Sequence, residues 1–302
     1  MFPGTAVLVL TALLQPPAPP APRADFPADP AIACGACAGW NAPRAPSRLY
    51  GNTWYVGVAG LSSVLITSPA GHVLIDGGLP QSAPLIDANI RALGFRTEDV
   101  KLILNSHAHF DHAGGIAALQ QVSGAVVAAT APAARALEAG EPTPDDPQYG
   151  FGRADNGYPP VRAVRVIADG EVLRVGDLAV TAHATPGHTP GGTTWSWRSC
   201  EADRCVDVVY ADSLTAVSAP GFSFLDSGAH AALRASIARI AALPCDLVVA
   251  AHPSFTDLDG KLERRAAGAS PDPLLDPNGC RTYAAAATER FEQRLADERR
   301  RR

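Results

Sequence analysis

Five histidines and one aspartate stand just beyond the ends of three apolar runs, and a fold must bring those three ends together for them to act as one group. The densest part is Ser106-His107-Ala108-His109-Phe110-Asp111-His112, directly after the run at 100–105. Side chains alternate along extended chain, so His107 and His109 can point the same way. Asp111 and His112 then follow on the turn and face a neighbouring point. His188 lies in Pro186-Gly187-His188-Thr189-Pro190-Gly191-Gly192, past the run at 178–183, where glycines let the backbone turn tightly and approach a metal. His252 lies in Ala250-Ala251-His252-Pro253, at the end of the run at 246–251. Imidazole nitrogen and carboxylate oxygen are the donors of catalytic zinc sites that keep a position open to water. A lone histidine is more often a packing residue, but four such donors clustered behind one buried strand are not explained that way. The remaining histidines read more plainly: His72 as strand-edge packing, His230 as a helix N-terminus, and His183 as core in preference to a support for the ligands.

The pattern around these segments predicts an α/β chain. Short strands are expected at 53–58, 62–67, 72–76, 100–105 and 125–129, and again at 171–175, 178–183, 193–197, 206–211 and 246–251. Leu85, Ile86, Ile90 and Leu93 recur at helical spacing. Further helices are expected at 114–122, 229–243 and from 282 to a frayed end near 299–302. Strands alternating with helices in two similar halves imply two packed sheets with helices outside. With 302 residues, 47% hydrophobic and 18% charged, the chain is neither wholly disordered, collagen-like nor a coiled coil, and is long enough for a full core. Residues 140–163 carry Pro, Gly and Asp without periodicity, and a structureless stretch that long is usually functional or mobile. There Tyr149, Phe151 and Tyr158 are open to two readings, an apolar wall or packing.

Export is expected. An apolar run at 5–14, broken by prolines from 16 onward, has the length and position of a signal-peptide core and is far short of the ~20 residues that span a bilayer. Residues 1–24 therefore read as leader, 25–48 as an N-terminal arm, and 49–302 as one domain. Six cysteines suit an oxidising compartment, most simply a bacterial periplasm. Cys200 and Cys205 bracket a polar turn between two strands and so staple a hairpin. Cys245 precedes a buried strand and Cys280 the last helix, where a bridge would close a long loop. Cys34 and Cys37, among Pro and Ala, form a local disulfide or stay free, rather than serving redox catalysis. A net charge of −5 and only two lysines, Lys101 and Lys261, leave no basic footprint for nucleic acid, and no apolar run is long enough for a membrane span.

The spacing His107-x-His109-x-Asp111-His112 with His188 and His252 resembles the metallo-β-lactamase superfamily. The resemblance narrows at Asn52-Thr53-Trp54-Tyr55-Val56-Gly57, Gly60-Leu61-Ser62-Ser63, Leu74-Ile75-Asp76-Gly77-Gly78, Tyr210-Ala211-Asp212-Ser213-Leu214-Thr215 and Leu243-Pro244-Cys245-Asp246, which look like class B β-lactamases of subclass 3. It covers the chain from about residue 40 to the last helix, with the cysteine pairs 200/205 and 245/280 in matching places. It implies an αββα sandwich with a dinuclear site between the sheets. It further implies two zinc ions, the first on His107, His109 and His188, the second on Asp111, His112 and His252, with Asp111 also orienting the attacking water. Ser213 stands where subclass 1 has a zinc-binding cysteine, and Ala216 where it has a lysine. In subclass 3 the serine is no ligand, and Ser213 and Thr215 would hydrogen-bond the substrate carboxylate. The implied activity is zinc-dependent hydrolysis of the β-lactam ring of penicillins, cephalosporins and carbapenems, conferring antibiotic resistance, in a periplasmic monomer.

Two residues carry alternatives. Asp76 is either a hydrogen-bonding support of the ligand histidines or a turn residue before Gly77-Gly78. Asp212 supports Ser213 in the β-lactamase reading, whereas glyoxalase II-like thioesterases place a metal-bridging aspartate near this point. A thioesterase or lactonase of the same superfamily is thus the main rival. A non-catalytic metal-binding protein is disfavoured by the complete donor set, and a ribonuclease by the negative charge.

Overall fold

The computed structural model describes residues 18–301. The apolar run at 5–14, on which the export reading rests, lies outside them. Seven strands form one sheet, ordered along the chain as β1 (Ser47–Tyr50), β2 (Thr53–Tyr55), β3 (Val64–Ile66), β4 (His72–Ile75), β5 (Val100–Leu104), β6 (Val126–Thr130) and β7 (Arg165–Ile167). Five form the other: β8 (Val172–Val175), β9 (Leu178–Ala184), β10 (Thr193–Glu201), β11 (Arg204–Ala211) and β12 (Leu247–Ala250). β1 to β4 are antiparallel and β4 to β7 parallel. β8 to β11 are antiparallel, and β12 runs parallel to β11.

The two-residue period of extended chain decides what each strand faces. Val73 and Ile75 of β4, Leu102 and Leu104 of β5, Val208 and Tyr210 of β11, and Leu247 and Val249 of β12 meet between the sheets, with Trp195 and Trp197 of β10. Their alternates face outward under helices. Leu74 and Ile103 pack beneath the helices Ala83–Ala92 and Ile116–Ser123. Val209, Val248 and Ala250 pack beneath Ala229–Ala242 and Gly279–Arg300. Both faces of the central strands are therefore dry, which is why their sequences are continuously apolar instead of alternating. Fully burying each such Val, Leu or Ile contributes about 1.5–3 kcal/mol. This is the αββα sandwich that the resemblance implied.

Several elements differ from expectation. The strands expected at 53–58 and 62–67 shorten to β2 and β3. β1 begins at Ser47, inside the stretch read as arm, and β7 lies past the aperiodic loop; both are sheet edges with exposed polar residues and no alternation to betray them. The helix Ala131–Ala139 was not expected, although Pro132 in its first turn and Gly140 in the left-handed conformation at its end mark both boundaries. Leu258–Ala266 also went unread, because its residues are mostly charged and it buries little beyond Leu258. The last helix starts at Gly279, not Thr282. The arm is docked, with Phe26 and Cys37 buried, and Arg23, at the end of the stretch read as leader, pairs with buried Asp87 at 3.1 Å. Among the described residues no helix is long and apolar enough to cross a membrane.

The sulfur atoms of Cys34 and Cys37, of Cys200 and Cys205, and of Cys245 and Cys280 lie at bonding distance. Cys200 and Cys205 face each other in register across the β10–β11 hairpin. Cys245 and Cys280, 35 residues apart, join the approach to β12 to the last helix. Closing a span of that length contributes ~4 kcal/mol in the chain-entropy model. The double variant C245A/C280A should therefore unfold at lower urea than the oxidised parent, with about 3–4 kcal/mol less stability in equilibrium denaturation, while C34A/C37A should lose much less.

Candidate metal centre

β4, β5, β9, β11 and β12 all run toward one edge of the sandwich, and the loops leaving them carry the predicted donors. His107 and His109 follow β5, and Asp111 and His112 lie in the helical turn Phe110–Ala113. His188 is in the β9–β10 loop, and His252 follows β12 directly. The rings of His107, His109 and His188 are 4.7 to 5.0 Å apart between centroids, and their nitrogens form a group able to hold one metal ion. Asp111 Oδ2 and His112 Nε2 are 3.3 Å apart, Asp111 Oδ2 and His252 Nε2 3.4 Å, and the two Nε2 atoms 3.3 Å. Donors about 2.0–2.1 Å from a tetrahedral zinc are separated by about 3.3–3.4 Å, so this triangle has the dimensions that zinc requires. His107 also lies within ligand reach of Asp111 and His112, which makes the two triads neighbours. Five imidazoles and one carboxylate suit zinc better than oxygen-preferring magnesium.

His107, His109, His188 and His252 each present their other nitrogen to an acceptor outside the cluster, and His112 Nδ1 faces Asp76 at ion-pair distance without a hydrogen bond. His107 Nδ1 is 2.9 Å from Asp212 Oδ1. His109 Nε2 is 3.2 Å from both carboxylate oxygens of Asp146. His188 Nδ1 donates to the Thr215 carbonyl at 2.9 Å and lies 3.1 Å from its hydroxyl. His252 Nδ1 donates to the Gly60 carbonyl at 3.0 Å. His112 Nδ1 is 3.5 Å from Asp76 Oδ2. Such partners fix the tautomer and aim the remaining lone pair inward.

The electrostatics follow from burial. Desolvation holds the His188 imidazole down to about 3, with the neighbouring His109 adding to it. Desolvation, then His112, His188 and His109, holds His107 well below the usual range. Both rings are thus neutral, as a metal ligand must be. Burial also opposes charge on His112, but the Asp111 and Asp76 carboxylates outweigh it and push His112 up to about 10. Burial would raise Asp111, yet His112 and His252 hold it well below the usual carboxylate range.

Asp76 proves to be both of the things its sequence position allowed. Its φ of 61° is the left-handed conformation of a turn residue. Its fully buried carboxylate accepts from Asn105 Nδ2, Ser106 N, Ser106 Oγ and Tyr210 OH. Asp212 is also fully buried; it accepts from Ser213 N at 2.8 Å and Thr185 Oγ1 at 3.2 Å, and burial pushes its carboxyl well up. Among the described residues it belongs to no metal-capable group. Ser213 is buried beside it. His72 is packed edge-on against Phe95, and His230 reaches back to the Phe224 carbonyl. His183 sits on β9 with Nε2 2.7 Å from Ser196 Oγ, away from the cluster. Tyr158 is a buried packing residue whose hydroxyl holds the Ala108 carbonyl, whereas Tyr149 and Phe151 are exposed. Sequence reasoning missed Asp146; nothing in an aperiodic loop singles it out from Asp145.

A family model described as the metallo-beta-lactamase superfamily matches residues 56–252. The chain belongs to this superfamily. Among solved structures it is similar to the Rm3 metallo-beta-lactamase, with 56% identity and a TM-score of 0.85 over 88% of this chain and 99% of the other. It is also similar to MEM-A1, a subclass B3 metallo-beta-lactamase from a soil metagenome library, with 48% identity and a TM-score of 0.83 over 87% and 100%. Curated relatives are more distant. The N-acyl homoserine lactonase AttM of Agrobacterium fabrum is 38% identical over 17% of this chain and 28% of its own length. A hydroxyacylglutathione hydrolase of Cereibacter sphaeroides is 27% identical over 61% of this chain and 58% of its own. The chain thus spans less than two thirds of either.

Because Asp76 satisfies four buried donors, truncating it strands them and forces alanine into a left-handed turn. Asp76→Ala in this metallo-beta-lactamase should lose at least about 3 kcal/mol of stability, read from urea unfolding. Asp76→Asn, which tolerates the backbone and keeps one acceptor oxygen, should lose clearly less.

Proposed function

We infer that this metallo-beta-lactamase hydrolyses the β-lactam ring of antibiotics, penicillins, cephalosporins and carbapenems among them, with two zinc ions. His107, His109 and His188 would hold the first, and Asp111, His112 and His252 the second. Asp212 carries the choice over the thioesterase and lactonase rivals. A bridging carboxylate has to lie between the two triads, and this one lies against the far nitrogen of His107 with its oxygens engaged by Ser213 N and Thr185 Oγ1. The likeness to β-lactamases across nearly their whole length supports the same reading.

The reaction adds water across the lactam C–N bond: oxygen joins the carbonyl carbon, the bond to nitrogen breaks, and nitrogen gains a proton. Zinc, when bound, supplies Lewis acidity that polarises a carbonyl and makes water nucleophilic near neutral pH. The chain supplies geometry. Asp212, Asp146, Thr215, Gly60 and Asp76 hold the five rings, and Asp111 orients the incoming water. Ser213 and Thr215 follow β11 at the same edge and would hydrogen-bond the substrate carboxylate without a lysine. The donor set is complete within one chain, which fits a working monomer. Three cysteine pairs at bonding distance fit an oxidising compartment, and we place the protein in a bacterial periplasm.

Three measurements test this. The parent should turn over a chromogenic cephalosporin, contain two zinc ions per chain by metal analysis, and lose turnover to a chelator; chelator-resistant turnover or a single ion would contradict it. Ser213→Ala should raise KM several-fold with kcat nearly unchanged and zinc content intact, since one hydrogen bond from a neutral hydroxyl contributes on the order of 1 kcal/mol, roughly a factor of five. Asp212→Asn should keep both ions. Zinc lost from Asp212→Asn, in a parent inert to lactams but active on thioesters, would make the protein a thioesterase.

A further inference from the structure

We propose that Asp146 is a positioning residue for His109, and that through it the loop at 140–163 and zinc occupancy of the first triad stabilise each other. The proposal rests on the metal reading above and assigns a job to a loop that reading leaves idle. Asp146 is 5% exposed although it belongs to a surface connection, so its carboxylate is held inside for a reason. Both of its oxygens are 3.2 Å from His109 Nε2. That leaves Nδ1 as the nitrogen His109 can offer a metal, the opposite choice from His188, His252 and His112.

The same carboxylate organises the loop. Asp146 Oδ1 accepts from Gln148 N at 2.8 Å. Its own N–H donates to the Thr143 carbonyl at 2.8 Å, and its carbonyl accepts from Tyr149 N at 3.1 Å. One residue on, the Pro147 carbonyl accepts from Ala219 N at 2.9 Å, in the loop whose Thr215 holds His188. The two loops that flank the site are therefore pinned to each other, and each is pinned to one imidazole of the first triad. A metal that orients His109 fixes the acceptor Asp146 needs, and an ordered loop fixes the ring the metal needs. Such coupling must run both ways with equal strength.

The experiment uses the full mature chain and Asp146→Ala and Asp146→Asn. Zinc affinity is read by competition with a chromophoric chelator. Loop order is read by chymotrypsin cleavage after Tyr149 and Phe151, 47% and 36% exposed, with fragments identified by mass with and without zinc. Loss of such a supporting carboxylate weakens metal binding roughly 10–100-fold. We expect that loss in Asp146→Ala and a smaller one in Asp146→Asn, which still offers His109 an oxygen. Zinc should slow cleavage several-fold in the parent and much less in Asp146→Ala. Should the alanine variant fail to fold, by circular dichroism, the asparagine variant decides alone. Affinity within twofold of the parent, or undiminished protection by zinc, overturns the proposal. A parent that takes up no zinc instead overturns the metal reading itself.

Discussion

Five imidazoles can point lone pairs at a common centre only if their other nitrogens are held from outside, and this requirement organises the active edge of the molecule. The holders come from four separate stretches of chain: Gly60 and Asp76 from the first sheet's loops, Asp146 from the long connection, and Asp212 and Thr215 from the loop after β11. Three of the five are carboxylates buried at no more than 5% exposure, a costly placement for a charge unless it is paired. They are paired with the histidines, and the histidines with them. Removing one of these carboxylates leaves a buried imidazole nitrogen without its acceptor, and removing His188 or His252 leaves a carbonyl without its donor.

The sandwich beneath makes that arrangement possible. Tyr210 shows the link most directly. Its ring lies in the core between the sheets, and its hydroxyl reaches both the Ser62 carbonyl of one sheet's loop and Asp76 Oδ2. Trp195 likewise packs in the core while its indole N–H holds the Asn105 carbonyl, one residue before the histidine segment. Strand ends from the two sheets are thus tied by side chains that are themselves core. The position of His107 relative to His188 and His252 depends on how the core packs, not on the loops alone.

How much of this was legible follows from where each signal lies. His107, His109, Asp111 and His112 are close in sequence behind an apolar strand, so chemistry and position coincide. His188 and His252 repeat that context, and the structure brings all six together. The central strands were legible because burial on both faces writes a continuous apolar run. β1 and β7 were not, since an edge strand buries one face at most. Five of the nine residues of the helix Ala131–Ala139 are alanine and only Leu137 is a large apolar residue, which supports a helix without marking a face. Asp146 was not legible because its role is set by an imidazole 37 residues away and by no local pattern. Tyr158 and Asp76 left open choices that only contacts could close.

The choice of β-lactamase over thioesterase proposed for this chain turns on which side of the His107 ring Asp212 occupies. Asp212 reaches the outer nitrogen of His107 because the opposite wall is Gly192, where any Cβ would collide with its Oδ2. Gly192 in turn pairs its carbonyl with Thr185 N, and the Thr185 hydroxyl donates to Asp212 Oδ2. Asp212 therefore fits a slot built by the glycine pair that follows His188, and the segment supplying one ligand also aims another. A side chain at 192 would push the carboxylate out of the slot and leave His107 free to turn. The glycines after His188 thus act on His107 from the far side of the ring, which motif spacing alone does not reveal.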